Sequence, residues 1–381
     1  MNDIEKRKMK ILICLFLLTL IGLIFVGSLS QPDAEYNSGN KLKYFYAYIA
    51  YIVIGVGMGA VTYGFNLLVE IVGKNKFKRI IISGLFGVII TVLSVLVLCK
   101  GVSVNGATRW IRIGSFTIQP SELMKPLVIY IFATLFSETK LLIGWGIITF
   151  KEETKLLIGW CVITFLVVLS VVLQKSKTSA IQLALISYLM LCICSKVKEI
   201  IKFIFGAVGL VGGIGIIMFM KDYSTNRVNN FLNGSSVQVN AAILAIKSGG
   251  IFGRGIGNGL QKYFYLPEAH NDYVFASICE EGGLIFAALI IIIFVILIFN
   301  MLVIAFKMKE SFNKYLIYGV IFSILNQAIL NIGINLNCLP STGITLPFIS
   351  YGGSSYVSNM ICMGLLFSAI NIAQAKKGMY Q

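Results

Sequence analysis

This sequence predicts a helical protein threaded many times through a membrane, and three observations carry that prediction. Hydrophobic residues make up 57% of the chain and charged residues 13%, against about 45–50% and about 25% in a soluble domain. The apolar residues gather into runs close to the roughly twenty that cross a bilayer core. Lysine and arginine concentrate in alternate connections between those runs. Backbone groups in lipid must be satisfied within their own segment, which favours helices. The period-two alternation of a membrane barrel is missing. The fold class is therefore an all-α polytopic membrane protein.

Ten spans follow in order, at 11–30, 45–72, 80–99, 120–137, 156–173, 179–195, 203–220, 273–306, 315–335 and 356–373. The first has a basic start but is longer than a signal-peptide core and lacks an A-x-A-like cleavage site, so it reads as a retained helix. With the N-terminus inside, both termini are cytoplasmic. Nineteen cations then fall on inner segments, beginning with Lys6, Arg7, Lys8 and Lys10, against seven in the short outer loops. That is the bias expected of short cytoplasmic connections. The net charge of +16 is thus mainly a topology signal, and nucleic acid is not the expected partner. Residues 1–381 read as a single membrane domain, with a large outer loop at about 221–272 between spans seven and eight.

Between spans four and five, "ETKLLIGWGIITF" (138–150) returns as "ETKLLIGWCVITF" (153–165), identical at 11 of 13 positions. Two copies do not make a solenoid. The apolar part of the first copy is too short to cross the bilayer and is expected at the interface, anchored by Trp145. The eight cysteines show no metal-ligand spacing and read as small apolar packing residues.

The polar, irregular sequence lies on the outer side, where loops tend to carry function. In "NGATRWIRIGSFTIQPSELMK" (105–125), Pro120 and Glu122 suit the first turn of a helix. Lys125 lies one turn further, on the same face as Glu122 but within an apolar segment, where a charge is costly unless paired or facing a wet cavity. The pair is either structural or functional. "GITLPFISYGGSS" (343–355) is either a buried re-entrant loop or a surface turn. "AILAIKSGGIFGRGIGNGLQ" (242–261) has glycines at dinucleotide-like spacing but no preceding strand. With Lys247 and Arg254 it could bring backbone amides and cations to an anion, or be an amphipathic loop. "LPEAHNDYVFASICEEGG" (266–283) holds the only histidine. One histidine among scattered acids is a weak metal signature, so His270 reads as a hydrogen-bonding residue or cap. Asp272 fits an N-cap for span eight, with Glu268 four residues before it. Glu280 and Glu281 lie inside the span, and intramembrane acids are functional candidates.

Taken together, "GATRWIRIGSFTIQPSELMK", "SGGIFGRGIGNGLQKYFYLPEAHNDYVFASICEEGG" and "LPSTGITLPFISYGGSS" resemble the three signature regions of the SEDS family, which includes RodA, FtsW and SpoVE. The resemblance covers almost the whole chain. It implies a peptidoglycan glycosyltransferase of the bacterial cytoplasmic membrane that polymerises lipid II at the outer face, in elongation, division or sporulation, with undecaprenyl diphosphate leaving. A class B penicillin-binding protein is the implied partner. The essential aspartate of the family's P-E-x-H-x-D-[FY] motif falls on Asp272, after Pro267 and Glu268. The resemblance carries substrate contacts onto Arg109, Trp110, Glu122, Lys125, Arg254, Glu268, His270 and Ser354. It also allows a divalent cation, magnesium or manganese, with Asp272 as its ligand. The chemistry is consistent: a carboxylate can deprotonate an acceptor hydroxyl, and fixed cations can stabilise a departing diphosphate.

One segment departs from the family. Its Q-P-D-L-G-T-A stretch is matched here by "QKSKTSA" (174–180), which lacks the proline, aspartate and glycine. A non-catalytic scaffold for a penicillin-binding protein therefore stays open. So does a flippase or transporter of lipid-linked precursors, although the polar groups gather on one side and do not line a midplane path.

Overall fold

A computed structural model describes residues 3–72, 76–104, 107–114, 116–138, 152–195, 197–207, 237–263, 265–309 and 311–378. In chain order these form α1 (Asp3–Leu29), α2 (Gln31–Ser38), α3 (Lys43–Val72) and α4 (Lys76–Lys100), then three short strands, β1 (Val102–Val104), β2 (Ala107–Ile113) and β3 (Phe116–Ile118). They continue with α5 (Pro120–Ser137), α6 (Glu152–Leu173), α7 (Lys177–Cys194), α8 (Val237–Gly249), α9 (Val274–Lys307), α10 (Ser311–Asn335) and α11 (Gly353–Gly378). Among the described residues, eight helices (α1, α3, α4, α6, α7, α9, α10 and α11) are long and apolar enough to cross a membrane, and each coincides with a predicted span. The predicted fourth span is α5, set apart by Glu122 and Lys125. Of the predicted seventh span only the start is described, within a helical stretch at 199–207. The rest of that span, residues 221–236 and Trp145 lie outside the described residues.

The chain divides into two compact units, each assembled from separate stretches of sequence. The first comprises 1–51, 204–300 and 327–352, and the second 52–203, 301–326 and 353–381.

In the second unit α5 packs against α4, α6, α7 and α11, and it is buried along most of its length from Pro120 to Phe136. This enclosure explains how a helix with two charges sits among apolar spans: its neighbours are protein, so it need not be uniformly apolar. By contrast, only 17% of the most apolar window of α4 is buried, as expected of a face turned to lipid. The segment 100–119, between α4 and α5, contains an antiparallel sheet in the order β1-β2-β3. Ile111 pairs with Ile118, and Trp110 with Val102. At the other end of α5, Glu138 accepts a hydrogen bond from Arg79 at 2.9 Å, and the Arg79 guanidinium lies 4.1 Å from the Phe312 ring centroid.

In the first unit, Ala242 and Ala245 of α8 pack with Leu266, Ala269, Tyr273, Ala276, Ile334 and Ile344. Small residues on α8 let the 266–276 stretch approach closely, so the segment carrying the lone histidine rests on a packed core.

Candidate functional site

The glycine-rich stretch after α8 runs against a break in α9. Gly283 has φ 74° and ψ −176° inside that helix, which leaves backbone groups to be satisfied elsewhere. Arg254 N–H and Gly255 N–H donate to the carbonyls of Glu280 and Glu281, while Leu284 N–H donates to Gly250. Two glycines make this approach possible. A Cβ on Gly253 (φ 77°) would collide with the Glu281 carbonyl, and one on Gly283 with the Ile251 carbonyl. The glycine spacing therefore reflects backbone contact and left-handed conformation, not a nucleotide.

The amides of this loop do approach anions, but these are the protein's own carboxylates. Glu280 accepts from Leu260 N–H at 2.9 Å and from Gln261 N–H at 3.2 Å. Glu281 accepts from Gly257 N–H at 3.0 Å, Ser28 Oγ at 2.8 Å and Lys262 Nζ at 2.8 Å. Both glutamates are 1% exposed. The two intramembrane acids thus act as struts that tie the loop and α1 to α9. Arg254 lies at the edge of this arrangement, with Nη1 3.9 Å from Glu280 and its side chain 38% exposed.

Asp272 is held from behind. Its carbonyl accepts from Asn331 Nδ2 at 2.9 Å and from Asn335 Nδ2 at 3.1 Å. Helix α9 begins two residues later, at Val274. The Ala276 N–H in its first turn donates to Asn335 Oδ1 at 2.9 Å, so a side chain from α10 satisfies one of the open donors at the start of this helix. Gln327 adds a third amide to the same face, donating to the Thr345 carbonyl at 3.0 Å, and Asn331 also donates to the Ile344 carbonyl at 2.6 Å. Sequence reasoning missed these three residues. Their signal was present: amides at i, i+4 and i+8 in an otherwise apolar span share one helical face. The loop they hold places Gly343 beside the carboxylate, where a Cβ would come 3.1 Å from Asp272 Oδ2.

His270 is buried among rings. It stacks on Tyr44 at 5.3 Å and is 5.5 Å from the Tyr351 ring, and its carbonyl accepts from Tyr351 N–H at 3.0 Å. Its Nδ1 lies 3.4 Å from Asp33 of α2, without the direction of a hydrogen bond. Burial pushes the imidazole below its usual pKa, while Glu268 and Asp33 partly oppose that shift. Glu268 is exposed and adopts φ 58°, a left-handed conformation uncommon outside glycine. Its carboxylate accepts from Asn271 Nδ2 at 3.2 Å.

The third signature stretch proves to be a buried loop, not a surface turn. Leu346, Phe348, Ile349 and Ser350 are all buried. Tyr48 Oη donates to the Phe348 carbonyl at 2.9 Å, and Leu346 N–H donates to Ser350 Oγ at 2.7 Å.

The remaining candidates belong to the second unit. Arg109 and Trp110 are half-buried neighbours on β2, with side chains directed to opposite faces. Lys125 donates to Glu122 at 2.7 Å and is 1% exposed, so the pair suggested by spacing is formed. Ser354 Oγ accepts from Gln119 N–H at 2.8 Å and lies 3.4 Å from the Thr117 carbonyl. In the divergent 174–180 segment, Ser176 and Ser179 share a hydrogen bond of 2.9 Å. The Gln119 amide reaches Ser121 at 3.1 Å and Ser176 at 3.3 Å. This hub is neutral, and Lys175 beside it has φ 56°, which proline cannot adopt.

These features define a polytopic helical membrane protein with a carboxylate at the head of a spanning helix. A model of the family described as "Cell cycle protein", covering FtsW, RodA and SpoVE, matches residues 8–376. Stage V sporulation protein E of Bacillus subtilis (strain 168) is 33% identical over 367 residues, covering 94% of this chain and 95% of that protein. The probable peptidoglycan glycosyltransferase FtsW of Pseudomonas fluorescens (strain SBW25) is 32% identical over 363 residues, covering 93% and 85%. Among solved structures, a chain of a peptidoglycan synthase complex that coordinates polymerization and crosslinking aligns with a TM-score of 0.70 at 20% identity, covering 95% and 97%. RodA of Thermus thermophilus aligns with a TM-score of 0.64 at 20% identity, covering 95% and 96%. The chain belongs to the FtsW/RodA/SpoVE family and is a multi-pass protein of the bacterial cytoplasmic membrane.

Proposed function

We propose that this chain is a peptidoglycan glycosyltransferase that polymerises lipid II into glycan strands at the outer membrane face, in elongation, division or sporulation. The names of its relatives support the reaction class. In this reading the chain has ten spans and both termini are cytoplasmic. The observation that carries the site assignment is the support behind Asp272: Asn331 and Asn335 hold its backbone, and Asn335 accepts from the Ala276 N–H. A residue held this firmly at the head of a spanning helix suits a general base, whose carboxylate must meet the acceptor in a set geometry.

Asp272 takes the proton of the acceptor hydroxyl as that oxygen bonds to the donor's anomeric carbon. The bond from that carbon to the diphosphate oxygen breaks, and its electron pair leaves with undecaprenyl diphosphate. Arg254, Arg109 and Lys125 are the proposed stabilisers of that negative charge. Trp110, Glu122, Glu268 and His270 are retained as proposed substrate contacts. The described residues gather no set of three or more metal-ligating side chains, so a protein-built metal cage does not fit. A magnesium or manganese ion would instead accompany the substrate diphosphate, with Asp272 as its protein ligand. The partner proposed is a class B penicillin-binding protein.

The test is lipid II polymerisation by the purified complex with that partner. Asp272→Asn should lower the rate about 10²–10⁴-fold, the worth of general base catalysis. Because asparagine keeps the size and the capping ability of aspartate, the variant should lose less than about 1 kcal/mol of stability. Near-normal turnover would remove Asp272 from the mechanism. The neutral hub at Ser176 and Ser179 supports a second reading, a scaffold. An unmodified protein that binds its partner but does not polymerise would establish it.

A further inference from the structure

Between α1 and α9, within the first unit, lies a groove of about 620 Å³, inside the range of about 300–1,000 Å³ usual for small-molecule sites. Its walls are apolar, including Ile13, Leu17, Ile293, Ile296 and Phe299. One end carries Arg7 and Lys10. None of the groups assigned to polymerisation lines it.

The cationic end is built, not merely basic. Asn300 is the one non-apolar residue between Leu284 and Phe306 and is 3% exposed. Its Nδ2 donates to the Ile296 carbonyl at 2.7 Å, and its Oδ1 accepts from Arg7 Nη1 at 3.3 Å. Asp3 accepts from Arg7 Nε at 3.1 Å. The guanidinium is thus fixed by two partners that leave some of its five donors for a ligand. Lys10 supplies a second charge one turn along the same helix. The first ten residues carry four cations against two acids, so this end stays positive after pairing.

We propose that this groove is a binding site for an anionic diacyl phospholipid of the inner leaflet. The phosphodiester sits between Arg7 and Lys10, and an acyl chain lies along the apolar wall. Charge complementarity carries the choice, since basic pockets between spanning helices on the cytoplasmic side suit anionic head groups. A neutral lipid or an apolar helix would leave Arg7 without an anion beyond Asp3.

The test uses the full chain in detergent with mixed phosphatidylglycerol and phosphatidylcholine, scoring retained lipid by native mass spectrometry. The parent protein should retain phosphatidylglycerol preferentially. Arg7→Gln and Lys10→Gln should each cut that preference about fivefold, the effect of one cation at a membrane surface. Asn300→Leu keeps every charge and removes only the acceptor that fixes Arg7, so it should weaken the preference while the protein still folds. A photoreactive phosphatidylglycerol should label residues 10–17 or 293–300. Equal retention of both lipids, or an unchanged preference in the Arg7→Gln/Lys10→Gln double variant, overturns the proposal. So does displacement of the label by a polyprenyl phosphate, which would give the groove to a substrate lipid, or by a transmembrane peptide, which would make it a protein interface.

Discussion

Lys262→Met should be among the most destabilising single substitutions in the first unit. The ammonium donates three hydrogen bonds, to Glu281 at 2.8 Å, the Gly257 carbonyl at 2.7 Å and Ser28 Oγ at 3.1 Å. The side chains of Lys262 and Glu281 are 3% and 0% exposed. Removing one partner of a buried pair leaves the other charge uncompensated, at a cost of about 3–5 kcal/mol. Glu281→Gln should cost a similar amount, because it strands the ammonium. The double variant removes both charges, so its loss should fall short of the sum of the singles by about 0.5–3 kcal/mol, the usual coupling of contacting residues. Melting in detergent supplies the stabilities. Hydrogen exchange should localise the effect, with 253–262 losing protection before the rest of the unit. Additive losses, or a Lys262→Met protein that melts like its parent, would refute the reading of Glu281 as a strut. Glu281 would then return to the list of functional acids.

Asn335→Leu leaves the Ala276 N–H without its acceptor and the Asp272 carbonyl with one donor fewer. An unsatisfied buried group costs about 1–3 kcal/mol, and polymerisation should fall with it because Asp272 loses part of its support. A variant of unchanged melting temperature and rate would show that the amide ladder does not matter. The buried His270 predicts a pH dependence. Its pKa is lowered from 6.5 chiefly by burial, so the folded state takes up this proton less readily than the unfolded chain. Its contribution is fully present above about pH 6.5 and is lost as pH falls toward the folded pKa. Burial raises the carboxyl of Asp33 from 3.8, which acts in the opposite sense at lower pH. Melting between pH 7.5 and 5.5 should fall in the parent and flatten in His270→Phe, and equal slopes in the two proteins would exclude the histidine as the cause.

Much of the site was legible because its signals are local in sequence. Glu122 and Lys125 are one helical turn apart, so their pairing follows from helix geometry, whereas its role, structural or functional, does not. Asp272 stands at the start of a long apolar run, which marks a helix end without contacts being known. What the local pattern could not supply was the partners that nearby groups find. A cap at Asp272 was one of two readings, and the Ala276 N–H in the first turn of α9 meets Asn335, 59 positions later in the chain. The acids Glu280 and Glu281 looked functional because unpaired charge in an apolar segment is costly, yet their partners are Lys262, Ser28 and backbone amides folded back from another stretch. Likewise, the glycines of 249–257 resembled a phosphate cradle until the break at Gly283 showed which backbone they approach.

By itself the sequence determined the membrane class, the eight long apolar helices among the described residues and the signature segments. Apolar run length, charge bias and short motifs act along the chain, and the bilayer imposes them without reference to any distant residue. Only the tertiary structure decided that 100–119 contains a sheet, that 346–350 is buried and that an amide ladder on α10 supports Asp272. The physical reason is the same in each case. A buried polar group must find a partner, and which partner it finds depends on segments brought together across hundreds of positions, as when Tyr48 donates to the Phe348 carbonyl. No local pattern specifies that choice.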